Sequence, residues 1–135
     1  MDQPDGSAAV PVRVLLADDD AGFVASLRPL IEHQPALTVA GVAADGLDAI
    51  ELADRLEPDP VVIDLHMPVV DGVTAVARMR KDHPNLCLIA LTGDDDDELH
   101  HAVTEAGADA VLLKSDLVDS LVERLRTIRR AQTSG

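Results

Sequence analysis

The chain has 135 residues, a formal net charge of −14, 47 % hydrophobic residues and a single aromatic side chain, Phe23. That length fits about one domain with a real core, and the charge excludes the basic face that direct nucleic-acid binding needs while suiting a cationic ligand such as a divalent metal. Without Trp or Tyr, stacking on bases or sugars is also excluded.

Residues 1–11 are small and polar with two prolines and read as a disordered lead-in. A first apolar strand follows over about 12–17, then Asp18-Asp19-Asp20, of which Asp20 suits the cap of the first helix. That helix carries Phe23, Leu27, Leu30 and Ile31 on one face, with Pro29 inside it, predicting a bend near Ala25–Ser26. A second strand spans about 37–43 and a third about 60–64, where Val61-Val62-Ile63 ends at Asp64. The chain then turns through Leu65-His66-Met67-Pro68 to Asp71-Gly72.

A fourth strand over about 86–91 contains the lone Cys87, a small core residue with no partner for an intramolecular disulfide. Thr92 and Gly93 follow, then Asp94-Asp95-Asp96-Asp97, a solvated first turn with Asp94 capping the fourth helix. The adjacent His100 and His101 diverge by about 100° on a helix and cannot chelate one ion; His33 and His83, near helix ends, are expected in solvent. A fifth strand over about 109–113 leads to Lys114, and Asp116 is expected to cap the fifth helix. Leu117, Leu121, Leu125 and Ile128 share one face of that helix, with Arg124, Arg126, Arg129 and Arg130 towards its favourable end. Residues 131–135 form a tail, and no second domain is expected within the chain. No apolar stretch approaches the roughly 20 residues of a membrane span, and no signal-peptide pattern opens the chain, so a cytoplasmic protein is expected.

Strands that are apolar throughout imply burial on both faces. Their alternation with helices predicts an α/β, flavodoxin-like, doubly wound parallel sheet of order 2-1-3-4-5 with five helices. Strands 1 and 3 are then neighbours, so Asp18, Asp19 and Asp64 converge at the carboxyl end of the sheet, with Thr92 and Lys114 beside them. Carboxylates within about 4–6 Å repel by several kcal/mol per pair. Mg²⁺, held by oxygen ligands, offsets that repulsion, and the His66 backbone carbonyl is placed as a further ligand. Such a group suits phosphoryl transfer: Asp64 as nucleophile forming an acyl phosphate, Lys114 neutralising charge and Thr92 donating a hydrogen bond.

The runs VRVLLADDD, VVIDLHMPVVDG, LIALTGD and GADAVLLKS resemble the receiver domain of two-component response regulators over about residues 12–130. The resemblance implies that Asp64 is the phosphoacceptor, Asp19 a direct metal ligand, Asp18 an acid acting largely through water, Thr92 the switch hydroxyl and Lys114 the lysine that meets the phosphoryl group. It further implies Mg²⁺, a sensor histidine kinase as donor, and a protein that catalyses only its own phosphorylation and dephosphorylation. The wording DLHMPVVDG and LLKS is most similar to receivers that precede helix-turn-helix output domains, so a DNA-binding output absent from this chain is implied. A homodimer through helices 4 and 5, or 1 and 5, is compatible with the fold. Two positions depart from the family pattern: Val111 stands where an aromatic residue or His is usual, and Ser115 follows the lysine where proline is common. The first removes the ring that, in the family the chain resembles, swings inward when the Thr hydroxyl meets the phosphoryl group; the second predicts a trans Lys114–Ser115 bond. Two rival readings are a phosphorylation-independent interaction module and a Mg²⁺-dependent phosphohydrolase, the latter disfavoured because His66 occupies the position of its general acid.

Overall fold

The computed structural model describes residues 10–93 and 96–128, the side chains of 116–119 excepted. Five parallel strands alternate with five helices: β1 Val12–Ala17, α1 Ala21–Glu32, β2 Leu37–Ala43, α2 Gly46–Leu56, β3 Pro60–Asp64, α3 Gly72–Asp82, β4 Cys87–Thr92, α4 Asp97–Ala106, β5 Ala110–Leu113 and α5 Leu117–Arg126. A 3-10 turn over Lys114–Asp116 joins β5 to α5. The strand order is β2-β1-β3-β4-β5, the expected doubly wound order.

Alternation along the strands divides the core into two layers. Leu15, Ala17, Val61, Ile63, Leu88 and Ala90 meet Ala49, Ala53, Ala75, Val76, Met79 and Val103 of α2, α3 and α4. On the opposite face Val14, Leu16, Val62, Ile89 and Leu91 meet Leu27 and Ile31 of α1 and Leu121 and Leu125 of α5. Cys87 is half-buried at the margin of the second layer, and burial pushes its thiol up to about 11. Between β1 and β2 the register slips by one residue after Val14, so Leu15 faces Gly41.

Side chains fasten the lower end of the sheet, where the strands begin. Asp59 Oδ2 accepts the Arg13 amide at 2.8 Å, and Asp109 Oδ2 accepts the Leu88 amide at 2.8 Å. Arg80 of α3 spans this corner: its guanidinium donates to the carbonyls of Gly107, Pro84 and Leu86 and pairs with Asp109 at 2.8 Å. His83 is half-buried and pairs with Asp54 at 2.6 Å, a correction to its expected solvated state; His33 is exposed as expected.

Helix caps follow the acids, with one correction. Asp20, Asp45 and Asp71 cap α1, α2 and α3 through their carboxylates. The cap of α4 is Asp96, which accepts from Glu98 and Leu99, and not Asp94, which lies outside the described residues. Any of four consecutive aspartates could cap; the position of Leu99 and Val103 against the core fixes the start of the helix at Asp97 and so selects Asp96, the third of the four. Asp116 immediately precedes α5 as expected, but its side chain lies outside the described set, as do Arg129 and Arg130. Helix α1 runs through Pro29 without interruption. No cis peptide bond occurs among the described residues, so Lys114–Ser115 is trans.

Candidate functional site

The carboxyl ends of β1, β3, β4 and β5 carry the site. Asp18 follows β1, where its amide donates to the Ala43 carbonyl at 2.9 Å. Asp64 is the last residue of β3 and pairs in register with Leu91, which places Thr92 one step further along the neighbouring strand. Thr92 in turn pairs with Leu113, so Lys114 leaves the sheet directly beside it. Asp18, Asp64 and Thr92 are buried, whereas Asp19 is exposed.

Ligand-type oxygens of Asp18, Asp19 and Asp64 lie within 4.8 Å of one another. Lys114 Nζ reaches into this group, 2.8 Å from Asp18 Oδ2 and 3.6 Å from Asp64 Oδ2. Asp18 Oδ1 accepts the Asp20 amide at 2.9 Å, and Asp64 Oδ1 accepts the His66 amide at 3.2 Å. Each buried carboxylate is thus aimed by a backbone N–H two residues further on.

Burial is the largest influence on Asp64 and raises its carboxyl above the ordinary aspartate value. The His66 amide and the Lys114 charge oppose that rise, while the charge of Asp18 adds to it. Burial alone would lower the Lys114 ammonium, but Asp18 and Asp64 outweigh it and hold the group above its ordinary value. One ammonium among three carboxylates leaves the site short of positive charge. An oxygen-only donor set of this kind, with exposed Asp19 on its rim, fits a hard divalent cation.

The loop after Asp64 is closely held. Gly72 donates its amide to the Leu65 carbonyl at 3.2 Å, and Val70 donates to the Pro68 carbonyl at 2.8 Å. The latter bond closes a three-residue turn centred on Val69, whose φ of 70° is left-handed. Val69 is also 75 % exposed.

The structure therefore brings together Asp18, Asp19, Asp64 and Lys114, with Thr92 on the adjacent strand end. The His66 side chain is exposed at the rim. Val111 is half-buried against the first core layer. Phe23 has a contact that its helical spacing alone did not announce: its ring lies 4.4 Å from Lys114 Nζ. The available signal was its position three residues after the capping Asp20.

The order of strands and the acid–lysine group define a phosphotransfer signalling fold, and the chain belongs to the response regulator receiver domain family, whose model matches residues 14–126. It is the receiver domain of a two-component response regulator. The chain is 35 % identical over 121 residues to the transcriptional regulatory protein YxjL of Bacillus subtilis, covering 90 % of this chain and 56 % of that protein. It is 35 % identical over 118 residues to the nitrate/nitrite response regulator protein NarP of Escherichia coli, covering 87 % and 55 % respectively. Among solved structures, the response regulator domain of Thermotoga maritima CheB superposes with a TM-score of 0.81 at 26 % identity, covering 87 % of this chain and 96 % of that one. The chain spans about half the length of the curated relatives it matches. None of the described helices is long and apolar enough to cross a membrane.

Proposed function

We propose that Asp64 is the phosphoacceptor and that the phosphoryl group comes from a phosphohistidine of a sensor histidine kinase. A carboxylate oxygen of Asp64 attacks phosphorus, a P–O bond forms, the P–N bond breaks and the imidazole leaves. Asp18, Asp19, Asp64 and the His66 carbonyl are the groups that would hold Mg²⁺, which when bound screens the negative charge gathered at phosphorus. Lys114 meets the same charge from the β5 side, and the Thr92 hydroxyl donates to a phosphoryl oxygen. The observation that carries this reading is the Lys114 ammonium within 3.6 Å of the Asp64 carboxylate inside an acid cluster suited to a divalent ion.

Phosphorylation then biases a two-state equilibrium that alters the face formed by α4, β5 and α5. Val111 offers no ring to rotate inward, so we assign the relay to Thr92 and the packing of α4 on β5. The domain proper is residues 12–130, flanked by a lead-in and a tail; it acts in the cytoplasm, turns over only its own acyl phosphate, and controls a DNA-binding output or partner. The test is incubation with acetyl phosphate, with and without Mg²⁺, followed by intact mass. Wild type gains one phosphoryl group only with Mg²⁺, and Asp64→Asn gains none; labelling of the mutant would overturn the assignment.

A further inference from the structure

The contacts of Lys114 are of two kinds. Its ammonium faces the Asp18 and Asp64 carboxylates at 2.8 and 3.6 Å, and the face of the Phe23 ring at 4.4 Å. The ring is brought there by a short closed circuit. Asp18 Oδ1 accepts the Asp20 amide, Asp20 Oδ1 accepts the Phe23 amide at 3.0 Å, the Phe23 ring covers Lys114, and Lys114 returns to Asp18.

The two kinds of contact respond differently to a cation. Asp18 and Asp64 are the same groups that would bind Mg²⁺, and a metal bound to them competes with the ammonium for their charge. The ring's negative face attracts the ammonium through its quadrupole, more strongly where water is kept away, and a carboxylate-bound metal does not compete for it. Lys114's side chain is 22 % exposed, so the ammonium beneath the ring is partly withdrawn from water.

We infer that Phe23 is a positioning residue for Lys114, its ring face holding the ammonium at the acid site when the carboxylates are shared with a metal. This rests on the reading of Asp64 as phosphoacceptor. Packing alone would be served equally by leucine, since Phe23 also borders the core layer of Leu16 and Leu27; only an aromatic face attracts the cation.

The experiment compares full-length wild type, Phe23→Leu and Phe23→Tyr. The chain has two lysines, Lys81 and Lys114, so side-chain ammonium and ε-methylene resonances are assigned with Lys81→Arg. Wild type and Phe23→Tyr should show the Lys114 resonances displaced by the ring current, and Phe23→Leu should lose that displacement. With acetyl phosphate and saturating Mg²⁺, Phe23→Leu should be phosphorylated about threefold to tenfold more slowly, with Phe23→Tyr near wild type. In a Lys114→Ala background Phe23→Leu should have no further effect. Undisplaced Lys114 resonances in wild type overturn the inference even if the leucine variant fails to fold. So does an equal slowing by Phe23→Leu with and without Lys114. Should wild type accept no phosphoryl group, the phosphoacceptor reading falls and the resonance measurement still decides the role of Phe23.

Discussion

Gly72 rests its α-carbon on the carbonyl of Asp64 so closely that a methyl group there would lie 2.5 Å from that oxygen and 2.5 Å from the Leu65 α-carbon. Both obstacles are backbone atoms, which no rotamer change can move aside. The start of α3 is thereby seated directly on the end of β3, and the Gly72 amide bond to Leu65 holds it there.

Gly72→Ala should consequently destabilise the domain by about 2 kcal/mol or more, despite alanine's ordinary advantage of roughly 1 kcal/mol within a helix. It should also slow labelling by acetyl phosphate, because the Asp64 backbone must shift. Gly93→Ala is the control, since an added methyl at Gly93 meets nothing within 4 Å; its unfolding midpoint should stay near wild type.

The raised carboxyl of Asp64 gives a pH signature. A folded-state value above the unfolded one means that the protonated form is favoured by folding. Its contribution is therefore full below the ordinary aspartate range and is lost as pH rises through the folded value. In EDTA at neutral pH, Asp64→Asn should raise the melting temperature, by an amount corresponding to about 1–3 kcal/mol, chiefly because a charge no longer has to be buried and secondarily because repulsion from Asp18 is relieved. The gap between mutant and wild type should narrow as the pH is lowered into the carboxylate range. A gap that widens in acid would contradict the burial argument.

Val69 is a β-branched residue held at a φ of 70° in the turn closed by Val70 N–H and the Pro68 carbonyl. Left-handed backbone costs such a residue roughly 1–2 kcal/mol, and glycine avoids that cost while losing about 0.5–1 kcal/mol of chain entropy. Val69→Gly should raise the urea midpoint slightly, whereas Val69→Ala should move it little. A clear fall in Val69→Gly would show that the exposed side chain contributes more than its backbone costs.

Arg80 satisfies three carbonyls and a carboxylate with one planar group. Lysine cannot reproduce that fork. Arg80→Lys should cost about 1–3 kcal/mol, since the freed carbonyls and the gap beside Gly107 are not refilled. The added methyl of Gly107→Ala would sit 2.7 Å from the Arg80 side chain at a φ of 122°, so it should be at least as damaging in thermal unfolding.

The legible parts of this protein were those governed by pattern. Apolar runs ending in Asp18, Asp64, Thr92 and Lys114 announced both the sheet order and which residues meet at its carboxyl end, because a parallel sheet places strand ends side by side. What escaped were consequences of orientation. Nothing in the spacing of Arg80 distinguishes an exposed helical arginine from one that reaches a loop 27 residues away. The cap of α4 is Asp96 and not the expected Asp94, because four identical acids compete locally and only the packing of Leu99 and Val103 decides. Nothing in the run Pro68-Val69-Val70 marks the left-handed backbone that Val69 adopts.

The clasps of Asp59 on Arg13 and of Asp109 on Leu88 lie where the strand ladder begins. They stitch neighbouring strands together at the end where pairing would otherwise fray. Local opening at that edge must break side-chain and backbone bonds together, so its amides should exchange only with wider unfolding. The opposite end of the sheet carries instead the exposed left-handed turn at Val69 and the crowded carboxylates of Asp18, Asp19 and Asp64.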